Sequence, residues 1–228
     1  MSRVFAFVFV VAAAAAVHQA AVGANGAAAP APAPSASMPS LTPEQRAVAS
    51  YNSGIGHKNK GLKFETDAAK ASKDREKILA KAKDEYGKAL KDFKKALELK
   101  PDAYQAFNGM GFALRKTGEP AKALEMYEKA LTLAPGFPDA IEYRGEAFLA
   151  LNRIDDAKAA YLELFAKDRE LAGQLMKAMN DWVAKHQSEP AGVDPGVVGE
   201  LDGWIKERAK VASLTVSMGL ASNHAAWR

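Results

Sequence analysis

The segment Lys95-Ala96-Leu97-Glu98-Leu99-Lys100-Pro101 returns as Lys129-Ala130-Leu131-Thr132-Leu133-Ala134-Pro135, 34 residues further on. A fixed period of this size constrains a chain more than its composition does, because each unit can bury its apolar side only against the next one. The same interval puts Ala89, Ala123 and Ala157 in register, then Phe93, Tyr127 and Tyr161, then Ala96, Ala130 and Leu164. From Leu41 onward apolar residues recur at spacings of three and four among Ala, Leu, Lys and Glu, with few β-branched residues and no alternating run. That pattern is helical. The expected fold is all-α.

Within residues 104–137 the physical logic is legible. Gly111 and Ala123 are small where two successive helices would approach closely, and Phe107 and Tyr127 are large enough to fill the space on either side. Pro135 biases the residue before it out of the helical region and so ends the second helix. Phe107, the pair Met110-Gly111, Leu114, Ala123, Tyr127, Ala130 and Pro135 together resemble the tetratricopeptide repeat. The resemblance covers about residues 45–168. It implies a short superhelical solenoid of about three helix-turn-helix repeats, at 44–101, 104–137 and 138–168. The third keeps Gly145, Ala157 and Tyr161 but has Arg144, Leu164 and Arg169 where the pattern wants Leu, a small residue and Pro. Arg144 is expected either among Glu142, Glu146 and Asp156 or reaching into solvent.

The first repeat is interrupted. Gly54 and Ala89 occupy positions 12 apart in an uninterrupted unit, yet here they are 35 apart, an insert of 23 residues at about 62–84. The insert contains neither Pro nor Gly. Both helices are therefore expected to run on and meet in a turn near Ser72–Asp74, with a break at Gly61 as the alternative. Beyond the third repeat, Asp168 and Asp194-Pro195 open two capping helices over 169–212, with Trp182 and Trp204 in their apolar stripes and a tail at 213–228.

Between Arg3 and Glu44 there is no charged residue. Val4–Val17 is an apolar run of 14 residues, short for a bilayer span but suited to the core of a signal peptide. Val22-Gly23-Ala24 supplies small side chains for cleavage, so residues 1–24 are expected to be removed after Ala24, and the Ala/Pro-rich stretch 25–43 to be a disordered linker. The expected location is the periplasm. Charge is uneven: residues 57–100 hold fourteen Lys and Arg against eight Asp and Glu, in a chain whose formal net charge is +4.

Catalysis finds no support in the motifs. There is no cysteine, which removes disulfides, thiolate nucleophiles and cysteine-bound metals. No two histidines stand three or four residues apart, Gly109-Met110-Gly111 lies within a helix rather than after a strand, and no serine sits in a nucleophile elbow. No enzyme activity, cofactor or metal is expected.

What the resemblance implies is a peptide-binding groove lined by the first helix of each repeat. Its residues would be Val48, Tyr51, Ile55, Lys58 and Asn59, then Gln105, Asn108, Phe112, Arg115 and Lys116, then Asp139, Glu142, Glu146, Leu149 and Ala150. Phe112 is expected to be exposed there as the main anchor. Glu142 and Glu146 stand where a carboxylate clamp would want positive charge. The expected function is a non-enzymatic, exported protein-interaction scaffold, monomeric or weakly associating, with a protein or peptide partner and no nucleic acid. The alternative is an envelope accessory protein that docks on anionic lipid or cell-wall polymer through the basic insert.

Overall fold

The computed structural model describes residues 41–190 and 192–225, with side chains to residue 211. The expected signal peptide, its cleavage site and the linker up to residue 40 lie outside the described residues. Among the described residues there are eight helices and no strand: α1 Pro43–Lys70, α2 Arg75–Leu99, α3 Tyr104–Thr117, α4 Pro120–Leu133, α5 Pro138–Ala150, α6 Ile154–Lys167, α7 Arg169–Ser188 and α8 Pro195–Ala225.

Helix α1 opens on a reciprocal cap. The Thr42 hydroxyl accepts from the Gln45 backbone N–H, the Gln45 side chain accepts from the Thr42 N–H, and Pro43 takes the first helical position. The helix then runs through Gly61 without a break and ends at Lys70; Asp74, in the left-handed conformation at φ 58°, precedes α2. Its buried residues are all small, and apart from Ser50 they follow one another at intervals of seven: Ala47, Gly54, Gly61 and Ala68. On α2, Ala82, Ala89 and Ala96 have the same interval, as do Tyr86 and Phe93. Small faces let the two antiparallel helices close up, and each ring covers a glycine: Phe93 over Gly54, Tyr86 over Gly61. The insert thus adds further turns of the same small-residue packing to the hairpin. Phe93 also lies against Gly109 of α3, so one ring joins three helices.

The 34-residue period is written in the backbone as well. Helix α3 ends at Gly118 (φ 98°), and the Glu119 N–H closes back on the Leu114 carbonyl. One period later Asn152 takes the left-handed place of Gly118, and the Arg153 N–H closes on the Phe148 carbonyl. Asparagine tolerates this conformation better than most residues. Tyr127 covers Gly111 as the repeat requires. The third repeat departs from that pattern, because the atoms nearest a Cβ at Gly145 belong to Leu175 of α7, while Tyr161 turns towards Trp204, 5.4 Å away and edge-on.

Asp168 caps α7 by accepting from the Glu170 and Leu171 N–H groups, and the Asp194 carboxylate accepts from the Gly196 N–H at the start of α8. Leu175, Met179, Trp182, Val183, Val198, Leu201 and Ile205 are buried and continue the core of repeats two and three. Helix α8 continues to Ala225, past the end at 212 expected for the caps, so most of the expected tail is helical. Arg144 has neither of its expected surroundings. It reaches Glu128 of α4 and Glu163 of α6, because α5 directs it towards the B helices on either side. No described helix is long and apolar enough to cross a membrane.

Candidate protein-binding surface

Helices α1, α3, α5 and α7 pack successively side by side and form one face. The structure brings the expected groove residues onto this face, but it engages most of them with each other. Tyr51 lies against Phe93, with ring centroids 5.7 Å apart, and Ile55 packs on the same cluster. Phe112, expected to be an exposed anchor, is only 3% exposed. The rings of Tyr86 and Tyr143 close on it at 5.7 and 5.2 Å, and the Lys58 ammonium stands 4.4 Å over its face. Asn108 and Glu142 are likewise buried, at 8% and 2% exposure. Side chains from α1, α2 and α5 close over this part of the face. Lys58 reaches across α3 to donate to the Tyr143 hydroxyl on α5 (3.1 Å), and Glu65, in the insert, accepts from Lys116 of α3 (2.8 Å). Gln105 remains half-buried at the start of α3.

The charges on the face are matched across it. Arg115 of α3 is ion-paired with Glu146 of α5. Glu142 lies beside them with its Oε2 unpartnered within the protein. Burial, reinforced by the neighbouring Glu146 carboxylate, pushes its pKa up to about 9, so it is protonated at neutral pH. Burial likewise draws the Lys58 ammonium below its ordinary range.

What stays open is a cleft of about 270 Å³ between α3, α5 and α7, lined by Arg115, Glu146, Leu149, Ala178, Asp181, Trp182 and Lys185. Arg115, Glu146 and Leu149 were legible from the repeat positions. Tyr143, which closes the first part of the face, and Asp181, Trp182 and Lys185, which form the far wall of the cleft, were not. Trp182 was assigned to a capping stripe, and it does both jobs: it is buried, and its indole N–H donates to the Asn152 side chain at the turn after α5. A second cavity, about 380 Å³, lies at the outer side of the first repeat between Leu41, Arg46, Ala49, Ser50, Lys95, Glu98 and Leu99.

One constellation has the residue types of a hydrolase. His57 Nδ1 is 2.7 Å from Glu85 Oε2, and the Ser53 hydroxyl donates to Asp92 at 2.6 Å. The serine donates to the carboxylate rather than to the imidazole, so the hydrogen bond between serine and histidine that a serine hydrolase uses is not formed. The cluster ties α1 to α2.

Residues 104–137 match a family model described as tetratricopeptide repeat, and residues 78–103 match a second model with the same description. Residues 78–137 therefore match the tetratricopeptide repeat. Such repeats generally mediate protein–protein interaction, and they typically serve as scaffolds rather than catalysts. Among solved structures, the crystal structure of MamA is 17% identical over 67% of this chain and 87% of that one, with a TM-score of 0.42. The first repeat domain of Spaghetti (RPAP3), bound to an HSP90 peptide, is 19% identical over 57% of this chain and 96% of its own, at a TM-score of 0.40. The repeat domain of Sgt2 from Aspergillus fumigatus is 20% identical over 67% and 81%, at 0.36.

Proposed function

We propose that this protein is a non-enzymatic scaffold of the bacterial cell envelope that seats an extended segment of a partner protein in the cleft between α3, α5 and α7. The observation that carries the reading is the division of the A-helix face: its α1–α3 part is filled by the protein's own side chains, and the remainder is open. The open part has a floor of the largely buried Leu149 and Trp182 with the half-buried Ala178 beside them, and charges of both signs in Arg115, Glu146, Asp181 and Lys185, which fix register. Export is supported by Arg3, the apolar run Val4–Val17 and the small residues Val22-Gly23-Ala24.

The test is a block of the cleft without disturbance of the core. Ala178→Arg with Lys185→Glu should abolish capture of the partner from envelope extracts while circular dichroism stays unchanged. Val48→Ala with Asn59→Ala, elsewhere on α1, should leave capture intact. Undiminished capture by the cleft variant would refute the assignment. Phe112→Ala is unsuitable, because it removes a core ring. Mass spectrometry of the envelope protein should find the mature N-terminus at or near Asn25; intact Met1 in a cytosolic fraction would remove the envelope assignment.

A further inference from the structure

The solvent side of α2 carries Lys77, Lys81, Lys88, Lys91 and Lys95, spaced four, seven, three and four residues apart, with Lys83 and Lys94 flanking the row. Those spacings keep the row on one face of a 3.6-residue helix, away from the buried Ala82, Tyr86, Ala89, Phe93 and Ala96. All seven are exposed. Lys88 is held by Asp84 and Glu85. The other six have no carboxylate within ion-pairing distance among the described residues. The corresponding helix of the next repeat offers a control: α4 exposes Lys122 and Lys129 beside Glu125 and Glu128 and is balanced. With eight Lys and Arg against five Asp and Glu, α2 carries the largest positive surplus among the described helices, and it extends from the insert onto the repeat helix itself.

We infer that the α2 face is a docking surface for an anionic phospholipid bilayer. From Lys77 to Lys95 the row spans about 27 Å at 1.5 Å per residue; Asp84 pairs with Lys88 at its middle, and the free pairs Lys77, Lys81 and Lys91, Lys95 at its two ends are placed to meet a planar anionic surface together. Leu79, near the hairpin turn and 40% exposed, stands on the opposite side of the helix and takes no part in the row. The row has no exposed aromatic residue on which bases could stack, which favours lipid over single-stranded nucleic acid. This inference is independent of the cleft.

The experiment is co-sedimentation of the full chain with vesicles of phosphatidylcholine alone or with about one-third phosphatidylglycerol. Each lysine near such a surface is worth about fivefold in affinity. The variant Lys77→Gln, Lys81→Gln, Lys91→Gln, Lys95→Gln should therefore lose at least ~100-fold of the phosphatidylglycerol-dependent binding. A control with the same charge change, Lys122→Gln, Lys129→Gln, Lys177→Gln, Lys206→Gln, should lose little. Binding should fall as salt rises from ~0.05 to ~0.5 M. Cleft variants should sediment like the unmodified protein. Equal losses in the two lysine variants would overturn the inference. So would binding indifferent to phosphatidylglycerol, or binding to duplex DNA or polyphosphate in place of the vesicles.

Discussion

Gly61→Ala should destabilise the protein, although the same change two turns away should stabilise it. An alanine in a helix interior is favoured over glycine by about 1 kcal/mol, so the substitution starts with a gain. At Gly61 the new Cβ would lie within 2.7 Å of Tyr86 Cδ1 and Cζ, against the 3.5–4.0 Å at which carbons pack. The ring would have to retreat by about 1 Å. It has nowhere to go, since Tyr86 is 1% exposed and abuts Phe112, itself enclosed by Tyr143 and Lys58. Overpacking of that kind costs about 1–3 kcal/mol and more where backbone must move; taking the upper end leaves a net loss of about 2 kcal/mol. For a chain of this length that corresponds to a fall in Tm of roughly 4–8 °C. Gly56 and Gly87 lie in the same two helices with nothing within 4 Å of an added Cβ. Gly56→Ala and Gly87→Ala should therefore raise Tm by roughly 2–4 °C. Thermal unfolding followed by circular dichroism at 222 nm, on the three variants in parallel, reads both signs. A Gly61→Ala protein as stable as Gly56→Ala would refute the small-residue packing assigned to the hairpin.

Two further outcomes follow from the same structure. Glu142 keeps its proton in the folded protein up to about pH 9, whereas the unfolded chain releases it near pH 4.3, so its contribution to stability is full below that lower value and is lost as pH climbs towards 9. Glu142→Gln should remove this slope, giving a Tm above that of the unmodified protein at pH 8 and converging with it at pH 4; parallel curves would show that the buried carboxyl is ionised. Leu175→Ala should cost about 2–5 kcal/mol in urea unfolding, because Leu175 fills the space above Gly145 that Tyr161 leaves, and a change under ~0.5 kcal/mol would show that α7 is only loosely attached.

Sequence alone determined the helices and their period, because both rest on local information. A proline or a capping residue acts within a turn or two, and a 34-residue repeat copies its own contacts, so that Gly111 with Tyr127 and the turns at Gly118 and Asn152 could be placed by register. The heptads of small residues on α1 and α2 were in the sequence as well, and they say how the insert packs. What only the tertiary structure decided is which part of the A-helix face remains open. Lys58 meets Tyr143 across 85 residues of chain, and Lys116 meets Glu65 across 51. Neither pair recurs at the 34-residue period, so no periodicity announces it. Repeat positions identify which residues face inward, but burial depends on what reaches them. Phe112 stands at a position that points into the groove, and it is buried because Lys58 from α1, Tyr86 from α2 and Tyr143 from α5 close over it.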